Sequence, residues 1–292
     1  MKPHYNVVGA AILKDGKLLA LRRSDGNESV IHKFEFVGGK VEEGETEEEA
    51  LVRECREEIS LEISVLEKLN TIEYEYTDCI VSLSIYFVKP LSDYKLKVHE
   101  EERWLDCSEI DASDWAPADR EFLSTIKNGY LKLVGAESER DFEIIRSIAQ
   151  TVMHETYDGS LPQGQIDYMI QKFLSKEAVE SALAEQEYEF KIIYLNGEIA
   201  GFAAYCPSKY YSEKYADGTF LSKIYVKQFA RGKRIFSKFL HTLRRPVYLT
   251  VKKDNLQTIN TCKHKGFKIV ESVVTDIGEG YVTDDFVMML SD

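Results

Sequence analysis

Glu54, Glu57 and Glu58 stand at i, i+3 and i+4 within the stretch Thr46–Ile59. On a helix these positions share one face, with neighbouring Cβ atoms about 5–6 Å apart. Like charges at that spacing repel and cost helix stability. A divalent cation resolves the conflict. Carboxylate oxygens are what Mg²⁺ prefers, and it completes its coordination with substrate phosphates. The chemistry indicated is displacement at a phosphate chain, since such an ion neutralises phosphate charge and lowers the pKa of bound water. Arg53 and Arg56 offset part of the acid, and Gly38-Gly39 upstream permits backbone angles that expose carbonyls to an ion. The plainer alternative is a solvated acidic face, the usual fate of a charge run. Glu47, Glu48 and Glu49 fit that alternative.

These carboxylates need a scaffold. Asn6–Leu13 and Lys17–Leu21 are apolar-rich and flank Lys14-Asp15-Gly16, which predicts a hairpin. Thr46–Ile59 has helical composition, Ile80–Val88 reads as a strand, and Arg120–Ile126 as a closing helix. Lys127-Asn128-Gly129 is the best boundary, dividing the chain into domains 1–128 and 129–292. Beyond it come a strand Tyr130–Val134 and helices Glu139–His154, Gln165–Leu174 and Ala178–Gln186. A hairpin follows, Tyr188–Leu195 with Glu198–Tyr205 across Asn196-Gly197. Strand Phe220–Val226, helix Lys233–Leu243, strand Val247–Val251, helix Leu256–Lys265 and two terminal strands complete the pattern. Strands and helices mixed in both halves predict two domains of α/β or α+β class.

A chain of 292 residues with 44% apolar content is long enough for two cores. No run approaches eighteen apolar residues, so no membrane span is expected. Met1–Tyr5 leads directly into a strand-like segment without an apolar signal core, which makes the cytoplasm the expected location. Cys55, Cys79, Cys107, Cys206 and Cys262 are scattered and odd in number, against a disulfide framework or structural zinc. A net charge of −13 disfavours nucleic acid as a partner, because phosphate contacts dominate that affinity.

Residues 38–61 read GGKVEEGETEEEALVRECREEISL and resemble the Nudix box. The match runs through Gly39, Glu45, Arg53-Glu54, an aliphatic position filled by Cys55, Glu57-Glu58 and Leu61. Ser60 replaces the usual glycine and Val37 a common proline. Neither is a ligand position, so altered loop geometry is expected without loss of chemistry. The resemblance implies an α/β/α sandwich in which Glu54, Glu57 and Glu58 hold Mg²⁺ or Mn²⁺ with help from the carbonyl of Gly38 or Gly39. It also implies that Arg53 orients the carboxylates, chiefly through Glu45, and that Glu54 or a carboxylate outside the box deprotonates water. Glu100, in the run Glu100-Glu101-Glu102, is the candidate outside carboxylate.

Residues 1–127 resemble the MutT-type branch of that family, which implies a nucleoside triphosphate substrate, oxidised or pyrimidine, yielding monophosphate and pyrophosphate. Arg23 falls where the branch places basic residues near phosphates or base, and Asp119 where an Asn or Asp reads the base edge. A carboxylate accepts hydrogen bonds and donates only when protonated. Asp119 also stands where it would cap Arg120–Ile126.

Residues 130–292 resemble the GNAT acetyltransferases. The resemblance rests on Gly201-Phe202 in the central hairpin, on Leu221–Val226 running into Phe229-Ala230-Arg231-Gly232-Lys233-Arg234-Ile235, and on Asn255 through Gly266-Phe267. It implies a GNAT acyl-CoA fold in which Ile224, Val226, Arg231, Gly232, Lys233, Arg234 and Asn255 bind acetyl-CoA for transfer to a small amine. A strand entering a helix N-terminus suits a pyrophosphate. Phe229, Arg234 and Phe236 depart from the family's pattern, and their bulk is expected to impede close approach. Cys262 replaces the tyrosine that serves as general acid; a thiol with an ordinary pKa of about 8.5 can donate a proton, though packing is the commoner fate of cysteine. The alternative is a domain that binds acyl-CoA only as a sensor.

Overall fold

The computed structural model describes residues 2–184, 188–209 and 217–291. Its backbone separates into two compact units, Met1–Lys132 with Leu195–Glu198, and Leu133–Tyr194 with Ile199–Asp292. Both are mixed α/β, each with a seven-stranded sheet.

In the first unit, β1 (His4–Lys14) and β2 (Lys17–Arg22) form the expected hairpin, with Lys14 opposite Lys17. Asp15 (φ 52°) and Gly16 (φ 75°) supply the two positive φ angles that a tight hairpin turn requires. The short strands β3 (Phe34–Glu35) and β4 (Val37–Lys40) pair with β2 and β1. Helix α1 (Glu47–Ile59) follows, then β5 (Ile63–Glu75), β6 (Ile80–Pro90), β7 (Glu101–Asp106) and α2 (Arg120–Asn128). β1 lies parallel to β6. Because side chains alternate across a strand, Val8, Ala10 and Ile12 of β1 face α1 through its buried stripe Ala50, Leu51, Cys55 and Ile59. Ala11 and Leu13 face the other way, into a core with Trp115 and with Phe122, Leu123 and Ile126 of α2. Helices thus cover both faces of the sheet.

β3, β4, β5 and β7 are not expected from the sequence pattern. The alternation of β5 is broken by register shifts at Val65/Glu67 and Lys68/Asn70, and each bulge inserts a residue that scrambles the period of two.

In the second unit the elements are β8 (Leu131–Gly135), α3 (Glu139–Tyr157), α4 (Gln163–Leu174), α5 (Lys176–Ala184), β9 (Glu189–Leu195), β10 (Glu198–Lys209), β11 (Gly218–Val226), α6 (Ile235–Leu240), β12 (Val247–Lys252), α7 (Leu256–His264), β13 (Lys268–Gly278) and β14 (Tyr281–Leu290). Residues 185 and 186, the end of one predicted helix, lie outside the described residues. The sheet order is β13-β14-β12-β11-β10-β9-β8. Helices α3 and α4 bury Ile145, Ile148, Val152, Ile166 and Ile170 with Phe190, Ile192 and Phe202 of the sheet. Helix α6 is shorter than expected. Arg234, in left-handed backbone, starts it only at Ile235, and it ends well before Pro246. Among the described residues no helix is long and apolar enough to cross a membrane.

Candidate active site

Helix α1 is placed by its own ends. Thr46 caps it, accepting from the Glu49 N–H at 3.2 Å while Glu49 Oε2 accepts from the Thr46 N–H at 2.9 Å. Such a reciprocal box satisfies two orphan donors. Ser60 closes the helix at φ 54°, ψ 28°, with its N–H donating to Arg56 O. That is the left-handed geometry of a terminal glycine, so the expected change of loop geometry does not occur: the serine adopts the glycine conformation. Glu47 and Glu49 also differ from a solvated face. Glu49 is the capping partner, and Glu47 accepts from Tyr86 OH at 2.5 Å and Ser84 Oγ at 3.1 Å and pairs with Lys68 at 2.6 Å.

The stripe that α1 buries leaves Glu54 and Glu58 toward β4 and Glu57 toward solvent. There the Glu54 carboxylate lies against Gly39: a Cβ on that residue would stand 2.5 Å from Glu54 Cδ. Arg53 joins these parts. Its Nε and Nη2 grip Glu45 at 2.8 and 3.0 Å, Nη1 donates to Glu54 at 2.8 Å and Glu57 at 3.3 Å, and Nη2 also reaches the Lys40 carbonyl at 3.0 Å. This bidentate grip on Glu45 holds the guanidinium well above its ordinary pKa and Glu45 below the usual carboxylate range. Glu57 is largely exposed.

Glu58 behaves differently. Its Oε2 is 3.4 Å from the Gly38 N–H and 3.9 Å from His99 Nε2. Burial pushes its carboxyl up to about 7; His99 opposes the shift, while Glu35 and Glu54 add to it by repulsion. Among the described residues no three acidic, histidine or cysteine side chains converge closely enough to hold a metal. Glu54 and Glu57 are turned onto Arg53, and Glu58 onto Gly38 and His99. The donor set nevertheless fits a hard divalent cation: three carboxylates on adjoining turns, with a main chain at Gly39 that lacks the Cβ that would displace Glu54.

Glu35 and His99 were not singled out from the sequence. His99 Nε2 lies 3.2 Å from Glu35 Oε1, the histidine side chain is 3% exposed, and its Nδ1 has no hydrogen-bond partner. Glu100, the candidate outside carboxylate, instead pairs with His32 at 2.7 Å. Glu101 is held by Arg22 and Arg103, and Glu102 accepts from Tyr94. Glu35 is a carboxylate outside α1 that shares a histidine with Glu58.

Arg23 pairs with Glu35 at 2.6 Å and Asp25 at 3.1 Å. Asp119 does not cap α2, since its side chain makes no cap hydrogen bond. It is buried and accepts from the Phe36 N–H at 3.0 Å. Burial pushes it up to about 7, with repulsion from Glu35 adding and Arg23 opposing. Tyr76 is close to both Asp119 and Arg23 and hydrogen-bonds the backbone of Ala118, with Tyr74 packed against its ring at 4.8 Å.

In the second unit, Ile224 and Val226 lie on β11. Arg231 donates to Val226 O at 3.1 Å and pairs with Glu155 at 2.6 Å. The Lys233 N–H bonds Ala230 O at 3.4 Å. Gly232 has φ 78° with open space around its α-carbon, and Arg234, at φ 62°, is also in left-handed backbone. Phe236 stacks on Phe267 at 6.2 Å. Asn255 caps α7 through Thr258 N–H at 3.0 Å and hydrogen-bonds Tyr157. Cys262 is buried in α7, and burial pushes its thiol up to about 11.

Comparison with known proteins agrees with the first-unit geometry. Residues 3–126 match the NUDIX domain. A CTP pyrophosphohydrolase of Escherichia coli is 39% identical over 116 residues, 39% of this chain and 84% of its own length. An 8-oxo-dGTP diphosphatase of the same organism is 28% identical over 128 residues, 44% of this chain and 98% of its own. A crystal structure of PaiA N-acetyltransferase from Thermoplasma acidophilum with coenzyme A is 19% identical, covering 56% of this chain and 99% of its own with a TM-score of 0.44. By its carboxylate helix, its arginine hub, the matching NUDIX domain and the Escherichia coli CTP pyrophosphohydrolase relative, the chain belongs to the Nudix hydrolase family through its N-terminal unit.

Proposed function

We propose that residues 1–128 hydrolyse a nucleoside triphosphate to monophosphate and pyrophosphate with Mg²⁺ or Mn²⁺, and that residues 129–292 are a GNAT-type domain transferring acetyl from acetyl-CoA to a small amine. The observation that carries the first part is the Arg53 hub, which binds Glu45, Glu54, Glu57 and the Lys40 carbonyl at once. Glu54, Glu57 and Glu58, with the Gly39 carbonyl, would hold the cation. Once bound, the ion neutralises phosphate charge and lowers the pKa of water. Arg53 aims the Glu54 carboxylate through its Nη1 hydrogen bond, so that Glu54 takes the proton of the attacking water. Glu35 lends a second carboxylate beside Glu58. Asp119, with a pKa of about 7, donates to a base acceptor below that pH and accepts from a base amine above it. Arg23 and the Tyr74–Tyr76 pair complete the base end. The substrates named for the relatives make cytosine and oxidised guanine nucleotides the first candidates.

The test is a panel of canonical, methylated and oxidised nucleoside triphosphates with Mg²⁺, quantifying pyrophosphate and orthophosphate separately. Pyrophosphate release from one base class supports the reading; orthophosphate alone, or no release, rejects it.

Support for the acetyl-CoA reading comes from β11 and β12. They pair in parallel only over Thr219–Leu221 with Val247–Leu249. Ser222–Val226 continue past that pairing and offer main-chain groups to an amide-bearing ligand such as pantetheine. The loop Arg231–Arg234 follows with local positive charge. The second reading, binding without turnover, is favoured by the burial of Cys262 and the upward push on its thiol. Acetyl transfer to an amine panel separates the two.

A further inference from the structure

Glu35 divides its two carboxylate oxygens between opposite ends of the hydrolase site. Oε2 takes Arg23 Nη1 at 2.6 Å, and Oε1 faces His99 Nε2 at 3.2 Å. The same His99 nitrogen is 3.9 Å from Glu58 Oε2. At the other end the next residue, Phe36, donates its N–H to buried Asp119 at 3.0 Å. Of two consecutive residues, Phe36 therefore touches Asp119 and Glu35 reaches the acidic helix through His99. We propose that Glu35 couples the two ends, so that a base seated at Asp119 tightens divalent-cation binding at Glu54, Glu57 and Glu58.

The proposal rests on the nucleotide-hydrolase reading and adds a thermodynamic link within it. The His99 side chain is buried, only 3% exposed, and its Nδ1 finds no partner. Its ring is thus located by Nε2, between Glu35 and Glu58. Asp119 and Glu35 repel one another, and Arg23 is attracted to both. A base that donates a hydrogen bond to Asp119 relieves that repulsion and strengthens the contacts that Glu35 already makes with Arg23 and His99. His99 then holds Glu58 in one orientation, which the cation would otherwise have to select. Linkage requires the converse, that the cation tighten base binding by the same factor.

The experiment titrates Mn²⁺ into the full chain, following free Mn²⁺ by electron paramagnetic resonance. Saturating CMP or 8-oxo-dGMP is compared with ribose 5-phosphate, which carries the phosphate without a base. In the wild type the better of the two nucleotides is expected to tighten Mn²⁺ about fivefold more than ribose 5-phosphate, within the usual range of site coupling. Glu35→Gln and, independently, His99→Asn are expected to bring that ratio to about one while each still binds Mn²⁺. A wild-type ratio of one with nucleotide and Mn²⁺ both bound, or variants that retain the wild-type ratio, overturns the coupling and leaves the hydrolase reading standing. A wild type that binds neither Mn²⁺ nor nucleotide overturns both.

Discussion

The Glu54 carboxylate rests on the bare α-carbon of Gly39, so close that a methyl group there would lie 2.5 Å from Glu54 Cδ. A strand and a helix that are adjacent in sequence are thereby locked into one acidic corner. Gly39→Ala is expected to fold, because the displaced atoms belong to the end of a flexible side chain. It should nonetheless lose at least about tenfold in kcat, since displacing a reacting group by about an ångström carries penalties up to about 10²-fold. Far-UV circular dichroism and steady-state kinetics measure the two effects separately.

Glu54→Gln keeps the shape of the side chain and removes the carboxylate proposed as the base. The diphosphatase rate should fall by roughly 10²–10⁴-fold, the usual contribution of general base catalysis, while the far-UV circular dichroism is unchanged. An unaltered rate would remove Glu54 from the mechanism.

Asp119 makes stability depend on pH. Its folded pKa of about 7 exceeds the ordinary 3.8, so between about pH 4 and 7 the folded chain binds the extra proton. The associated stability is fully present below the unfolded pKa and is lost as pH rises through 7. Asp119→Asn keeps an oxygen for the Phe36 N–H and cannot ionise. Its melting temperature relative to wild type should therefore be higher at pH 8 than at pH 4; a difference independent of pH would show that Asp119 titrates normally. The same variant should alter preference among bases more than the overall rate.

Ser60→Gly places a glycine where the backbone is already left-handed. Left-handed geometry costs an L-residue roughly 1–2 kcal/mol, and glycine's extra chain entropy returns about 0.5–1 of it. A net stabilisation of about 0.5–1 kcal/mol is expected for the first unit, read from urea unfolding followed by residual hydrolase activity. Ser60→Val should shift the midpoint the opposite way.

Cys262→Ala tests the acid in the second unit. If the thiol protonates the departing CoA, amine acetylation should drop at least about tenfold, a low value for general acid catalysis, with acetyl-CoA affinity by calorimetry unaltered. Equal turnover in both proteins would assign Cys262 to packing.

The acidic site was legible wherever its parts are close in sequence. Glu54, Glu57 and Glu58 occupy one helix face because the period of 3.6 places them there, and Arg53 with Glu45 lies within the same segment. The α1 boundaries, the β1–β2 hairpin and most helices likewise follow from local periodicity and turn chemistry, whereas β3, β4, β5 and β7 do not. What the sequence left open involves long-range packing. Glu35 and His99 are 64 residues apart, and no local pattern pairs them. Asp119 could have been a cap or a base reader, and only its burial against the Phe36 amide removed the cap. Ser60 and Arg234 read as departures from a glycine pattern, yet each takes the left-handed angle the turn demands. The contacts of a helix with itself are set by residue spacing. Contacts between strands, loops and buried carboxylates are set by which surfaces exclude water together, and that is decided only when the whole unit closes.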